Sequence, residues 1–165
     1  MNLVTALAIV IGVLGAVATW LLLGPAAPLG LQIWIAFIAW ASYFHCGGGE
    51  TGLKVSLPAN IWGALMGTIA LILVGQIGGG VIGAAVIVGV TVFVLIIAAH
   101  VPLLSSIPAG VYGYASAAGY GLLFSGASAT GLGLGSGVFT TVALSLIVGA
   151  IFGYISGKIA GAIAK

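Results

Sequence analysis

The side chains able to do chemistry in this chain are few, and many of them belong to one phrase written twice. Ser56 to Gly63 reads SLPANIWG, and fifty residues later Ser106 to Gly113 reads SIPAGVYG. Each copy has Ser, an aliphatic residue, Pro-Ala and, after one intervening position, an aliphatic-aromatic-Gly triplet. Such a phrase suits a helix start, where Ser caps the first turn and Pro sits where no backbone donor is lost. Helix starts offer unpaired N–H groups and the positive end of the dipole. Two of them, with amide, hydroxyl and imidazole groups nearby, suit a small polar solute or small anion and suit a metal cation poorly. The substrate-pathway residues singled out in this way are Pro58, Asn60, Trp62, Ser106, Pro108 and Tyr112. His45 and His100 join them, because each closes the apolar run before one copy.

Catalysis is not expected. General acid–base work needs paired titratable groups, and Glu50 is the one carboxylate side chain. No nucleophile elbow or metalloprotease spacing occurs. His45, Cys46 and His100 are soft ligands without a spacing motif, so they are read as interface anchors, with no metal and no cofactor. A single cysteine excludes an intramolecular disulfide.

The elements that position these residues follow from composition. Of 165 residues, 62% are hydrophobic and 2% charged: Glu50, Lys54, Lys158 and Lys165. Soluble domains carry about 25% charged residues, so this surface must face lipid. A formal charge of +2 is too small and dispersed for nucleic-acid binding. The opening MNLVTALAIV has no basic residue before its apolar run and is read as a retained helix rather than a signal peptide.

A spanning helix needs about 20 apolar residues, and six runs approach that length. They are Leu3 to Leu23, Leu29 to Phe44, Leu57 to Val74, Val81 to Ala99, Ile107 to Phe124 and Val138 to Ser156. The expected fold is therefore an all-α integral membrane protein, with residues 1–165 forming a single transmembrane domain of six helices. With both termini cytoplasmic, Lys54, Lys158 and Lys165 all lie inside, as the positive-inside rule requires. The repeated phrase implies an internal two-helix parallel repeat, the second and third helices against the fourth and fifth. Its units are residues 29–76 and 81–126. An even number of helices per unit keeps the copies parallel, unlike the inverted repeats of many transporters.

Small residues recur every fourth position on three helices, forming stripes that let helix backbones approach closely in lipid. The packing residues expected from them are Gly63 and Gly67, Gly113 and Gly121, and Gly149, Gly153 and Gly157. No charged residue lies within the spans, whereas ion-coupled transporters usually carry one. The expected function is a passive channel or facilitator for a small, mostly uncharged solute of the urea, amide or ammonia class. Membrane lipid, that solute and a symmetric homo-oligomer are the expected partners. Two alternatives are a proton-coupled permease for a small monocarboxylate such as acetate, with a histidine carrying the proton, and a non-transporting membrane scaffold subunit.

Two segments also resemble a known family. WASYFHCGGGETGLK and LLSSIPAGVYGYASAAGYG are similar to motifs of a small bacterial inner-membrane family catalogued as domain of unknown function 1097. The resemblance implies a six-span protein of the bacterial inner membrane and carries no activity with it. The glycine triplet and Glu50 make the first loop richer than the family pattern. A shorter segment, GPAAPLGL from Gly24, is similar to the Asn-Pro-Ala-Pro-Leu-Gly-Leu segment of acetate-uptake permeases, but lacks the Asn and has an extra Ala.

Overall fold

The computed structural model describes residues 1–164; Lys165, counted above among the cytoplasmic lysines, lies outside them. Six α-helices are present among the described residues: α1 (Leu3–Leu23), α2 (Ile33–His45), α3 (Gly49–Ile77), α4 (Gly80–Ile97), α5 (Ile107–Leu123) and α6 (Val138–Ile163). Among these residues no strand occurs, only an isolated bridge between Ser128 and Gly137 in the α5–α6 loop. Four helices are long and apolar enough to cross a membrane: α1, α3, α4 with its 3-10 extension to His100, and α6. The other two are shorter, α2 with 13 residues and α5 with 17. At 1.5 Å per residue α2 covers about 20 Å, against about 30 Å of hydrocarbon.

Local signals explain the ends. Asn2 caps α1 by accepting from the Thr5 N–H at 2.8 Å, and Gly24 closes it. The segment Ala27–Leu29 makes a 3-10 turn ending in Gly30 at φ 67°, which delays α2 to Ile33 rather than Leu29. The α2–α3 turn uses Gly47, Gly48 and Gly49 at positive φ, a conformation open to glycine. Ser106 caps α5 by accepting from the Ala109 N–H at 3.4 Å, with Pro108 in the first turn.

The largest departure from expectation is α3. It begins at Gly49, not near Leu57, because ETGLKVS is helical although it is not apolar. Glu50 stands in the first turn, where the helix dipole favours an acid, and pairs with Lys54 one turn on at 3.7 Å. Pro58 therefore lies inside a continuous helix. SLPANIWG is not a helix start, whereas SIPAGVYG is; the idea of two equivalent starts is corrected accordingly. Ser56 is buried within the helix and caps nothing. Proline in a helix interior removes a hydrogen bond to the carbonyl four residues earlier, here that of Lys54.

The two prolines should thus respond in opposite directions. Pro58→Ala is expected to raise the unfolding midpoint in detergent, since the restored bond is worth about 1 kcal/mol. Pro108→Ala should leave it unchanged or lower it, because Pro fits a first turn. A lower midpoint for Pro58→Ala would contradict the continuous helix.

α2, α3, α5 and α6 form the centre of the bundle, with α1 packed mainly on α6 and α4 mainly on α3. The core gathers Ile35 and Ala39 of α2, Ala64 of α3, Ala117 and Tyr120 of α5, and Val138, Val142 and Leu146 of α6. Val81, Ile82, Val86, Val90 and Phe93 of α4 are exposed, as expected of a lipid-facing helix. The start of α1, the α2–α3 turn and the end of α6 line one cavity, so they share one end of the bundle. Glu50, Lys54 and Lys158 all lie toward that end.

Candidate functional site

The last turn of α2 places Ser42, His45 and Cys46 at i, i+3 and i+4, one face of a helix. Each reaches a neighbour. Ser42 Oγ donates to Asn60 Oδ1 on α3 at 3.2 Å. His45 Nδ1 lies 2.8 Å from the Tyr112 hydroxyl on α5. Cys46 Sγ lies 3.1 Å from Oγ of Ser106, the cap of α5. One turn of α2 thus ties α3 to α5 along a polar seam. Ser116, buried on α5, donates back to the Tyr112 carbonyl at 2.7 Å.

The seam is graded in burial. His45 is exposed, Cys46, Ser106 and Tyr112 are half-buried, and Ser42, Ser56 and Asn60 are 0% exposed. Two atoms at its inner end have no hydrogen-bond partner: Asn60 Nδ2 and Ser56 Oγ, one turn apart on α3. A buried unpaired amide or hydroxyl costs about 1–3 kcal/mol, and native proteins rarely keep two side by side. Together they offer amide donors and a hydroxyl able to donate or accept. That set matches a small molecule bearing both an acceptor and a donor.

The seam is framed by a close approach of the α3 and α5 backbones. A Cβ at Gly63 would overlap the Gly110 carbonyl, and one at Gly113 would overlap the Asn60 carbonyl. The amides repeat this reciprocity: a Cβ at Gly63 would stand 2.8 Å from Tyr114 N, and one at Gly113 would stand 2.9 Å from Ala64 N. Further along, a Cβ at Gly67 would come 2.6 Å from Tyr114 O and 3.0 Å from Ala117 Cβ, and one at Gly121 would run into the Leu71 side chain. Residue numbers rise together on both helices, so α3 and α5 run parallel with SLPANIWG lying against SIPAGVYG.

The α6 glycines serve a different contact. A Cβ at Gly149 would overlap the Ala36 carbonyl of α2, one at Gly153 would stand 3.0 Å from the Tyr43 ring, and one at Gly157 2.8 Å from the Tyr43 hydroxyl. That hydroxyl accepts from the Gly49 N–H at 2.7 Å, fixing the turn that aims α3. Trp40 adds a buried bond to Ser156 Oγ at 2.9 Å.

Of the pathway residues expected from sequence, the structure brings together His45, Asn60, Ser106 and Tyr112, with Pro58 on the same turns of α3. It separates two others. Trp62 points to α4, donating to the Leu95 carbonyl at 3.3 Å. His100 lines a separate cavity of about 400 Å³ with Ser105 and Ile107. Pro108 is exposed at the start of α5. His45 and Cys46 stand apart from His100, and among the described residues no three His, Cys, Asp or Glu groups are placed to hold a metal ion. Sequence reasoning missed Ser42 and Ser56 as members of the seam. The 42/45/46 spacing was the available signal for the first.

A family model described as "Protein of unknown function (DUF1097)" matches residues 8–161. No curated protein and no solved structure matches the chain.

Proposed function

The chain belongs to the DUF1097 family of proteins of unknown function, and from that premise we propose that it is a membrane facilitator passing a small polar solute along the α2–α3–α5 seam. One observation carries the reading: Asn60 Nδ2 and Ser56 Oγ are fully buried without partners at the inner end of a polar line that reaches the surface at His45. A urea or amide carbonyl accepts from Asn60 while its N–H meets Ser56, so the solute supplies the hydrogen bonds the protein leaves unmade. The described charged side chains stand toward one end of the bundle, so no fixed charge opposes a neutral solute. The contacts from His45 and Cys46 to α5 close the line at its mouth, and their separation opens it.

In this reading all six helices traverse the inner membrane, the shorter α2 and α5 doing so with their flanking turns. The lysine-bearing end faces the cytoplasm, in keeping with the positive-inside rule. The parallel, reciprocal packing of α3 and α5 supports descent from duplicated units, residues 29–76 and 81–126. Contacts across the units agree: Trp62 reaches residue 95 and Tyr112 reaches residue 45, the same spacing of fifty.

Stopped-flow swelling of proteoliposomes with urea, acetamide and ammonia tests the proposal. Flux above empty vesicles is expected for urea and acetamide; no flux for any of the three ends it. A second reading, a proton-coupled monocarboxylate permease, draws on His45 Nδ1 beside the Tyr112 hydroxyl at the mouth. It requires acetate uptake driven by a pH gradient that His45→Ala abolishes and His100→Ala preserves. Acetate uptake indifferent to His45→Ala removes it.

A further inference from the structure

A cavity of about 460 Å³ opens at the charged end of the bundle, between the start of α1, the α2–α3 turn and the last turns of α6. It is separate from the seam and has its own chemistry. Leu3 and Leu7 of α1 give it an apolar wall, and Leu3 is 53% exposed, continuous with the lipid-facing side of that helix. One acid and one base line it from different helices, Glu50 at the start of α3 and Lys158 near the end of α6.

Neither charge is held firmly by the protein. Lys158 Nζ sits 4.7 Å from the Tyr154 ring centroid, and among the described residues it has no carboxylate within 4.0 Å. Glu50 meets Lys54 at 3.7 Å, but the side chains are 71% and 72% exposed, and such pairs contribute little. Lys158 has no such partner among the described residues and Glu50 is held only by this exposed pair, so both can turn to a ligand.

We propose that this cavity binds a phospholipid with a phosphoethanolamine headgroup. Lys158 takes the phosphate, Glu50 takes the ammonium, and the first acyl carbons lie along Leu3 and Leu7. Charge complementarity selects this occupant. A zwitterion matches one acid and one base, whereas an anionic headgroup brings its excess negative charge against Glu50. Phosphocholine carries the same charges but no N–H to donate to a carboxylate, and charge-assisted hydrogen bonds are the strong ones.

The test is lipid binding by the full chain in detergent, read by native mass spectrometry. The probes are phosphatidylethanolamine, phosphatidylcholine and phosphatidylglycerol with identical acyl chains. Ethanolamine lipid should bind about fivefold tighter than choline lipid, the worth of one charged contact at the membrane surface. Glu50→Gln should erase that preference, and Lys158→Gln should weaken both lipids about fivefold. Both residues are exposed, so lipid-free unfolding midpoints should move little, Glu50→Gln losing only the small first-turn and Lys54 contributions. Equal binding of ethanolamine and choline lipids, tighter binding of the glycerol lipid, or a preference surviving Glu50→Gln overturns the proposal.

Discussion

Gly63→Ala and Gly113→Ala are each expected to destabilise the bundle by about 3 kcal/mol, the upper range for overpacking a tight interface, and the double variant should cost little more than either alone. The added methyl in each case overlaps a backbone carbonyl, of Gly110 or of Asn60, and not the end of a movable side chain. Backbone yields only if α3 and α5 separate as bodies. Once one methyl has separated them, the second finds room, so the two effects fail to add, as they do for residues sharing one contact. Gly149→Ala overlaps the Ala36 carbonyl at a different interface, α2 on α6, and should add to Gly63→Ala. Gly89→Ala is the control, since nothing lies within 4 Å of its added Cβ. Denaturant or thermal unfolding in detergent reads all of these variants, including the Gly63→Ala/Gly149→Ala double. A neutral Gly63→Ala, or a double variant equal to the sum, would show that the crossing is not the tight point of the fold.

Asn60→Leu is expected to reduce solute flux at least about tenfold, the loss of roughly one charge-neutral contact of 1.4 kcal/mol, while stability holds or rises by about 1 kcal/mol. The opposite signs are the informative part. In the folded protein Asn60 gains one bond, from Ser42, and leaves Nδ2 unpaired at 0% exposure. Leucine, with the same branched arrangement of side-chain heavy atoms, removes that unpaired group. Ser42 then bonds to its own helix, as buried Ser116, Ser145 and Thr68 already do. A residue retained for packing would lose stability on this change, and one retained for a solute would lose flux. Ser56→Ala should follow the same pattern more weakly. Unchanged flux in both variants would take the seam out of the pathway; lost flux with lost stability would assign Asn60 a structural role.

The lipid environment, the helical class and several boundaries were legible in the residues. α1 runs from Leu3 to Leu23 as expected, because Asn2 and Gly24 are strong local signals at its ends. The start of α3 was not, since its first two turns are helical without being apolar. ETGLKVS is helical through its first-turn acid, its Glu50–Lys54 pair and the glycine turn before it. Extending α3 back to Gly49 moved Pro58 from a helix start to a helix interior and left Ser56 buried rather than capping.

The amino-acid order alone established that this chain lives in a membrane, that a proline phrase recurs on two helices, and that small residues stripe three of them. Those are local properties, set by composition and by the 3.6-residue period. It did not establish which way each helix turns about its axis. In water a helix buries its one apolar face, but here nearly every face is apolar, so hydrophobicity leaves the rotation undecided. Close backbone approach and pairs of polar groups decide it instead, and these join residues far apart in sequence. Folding set Gly63 on Gly110, turned Trp62 toward α4, sent His100 to its own cavity, and gathered Ser42, His45 and Cys46 against Asn60, Tyr112 and Ser106.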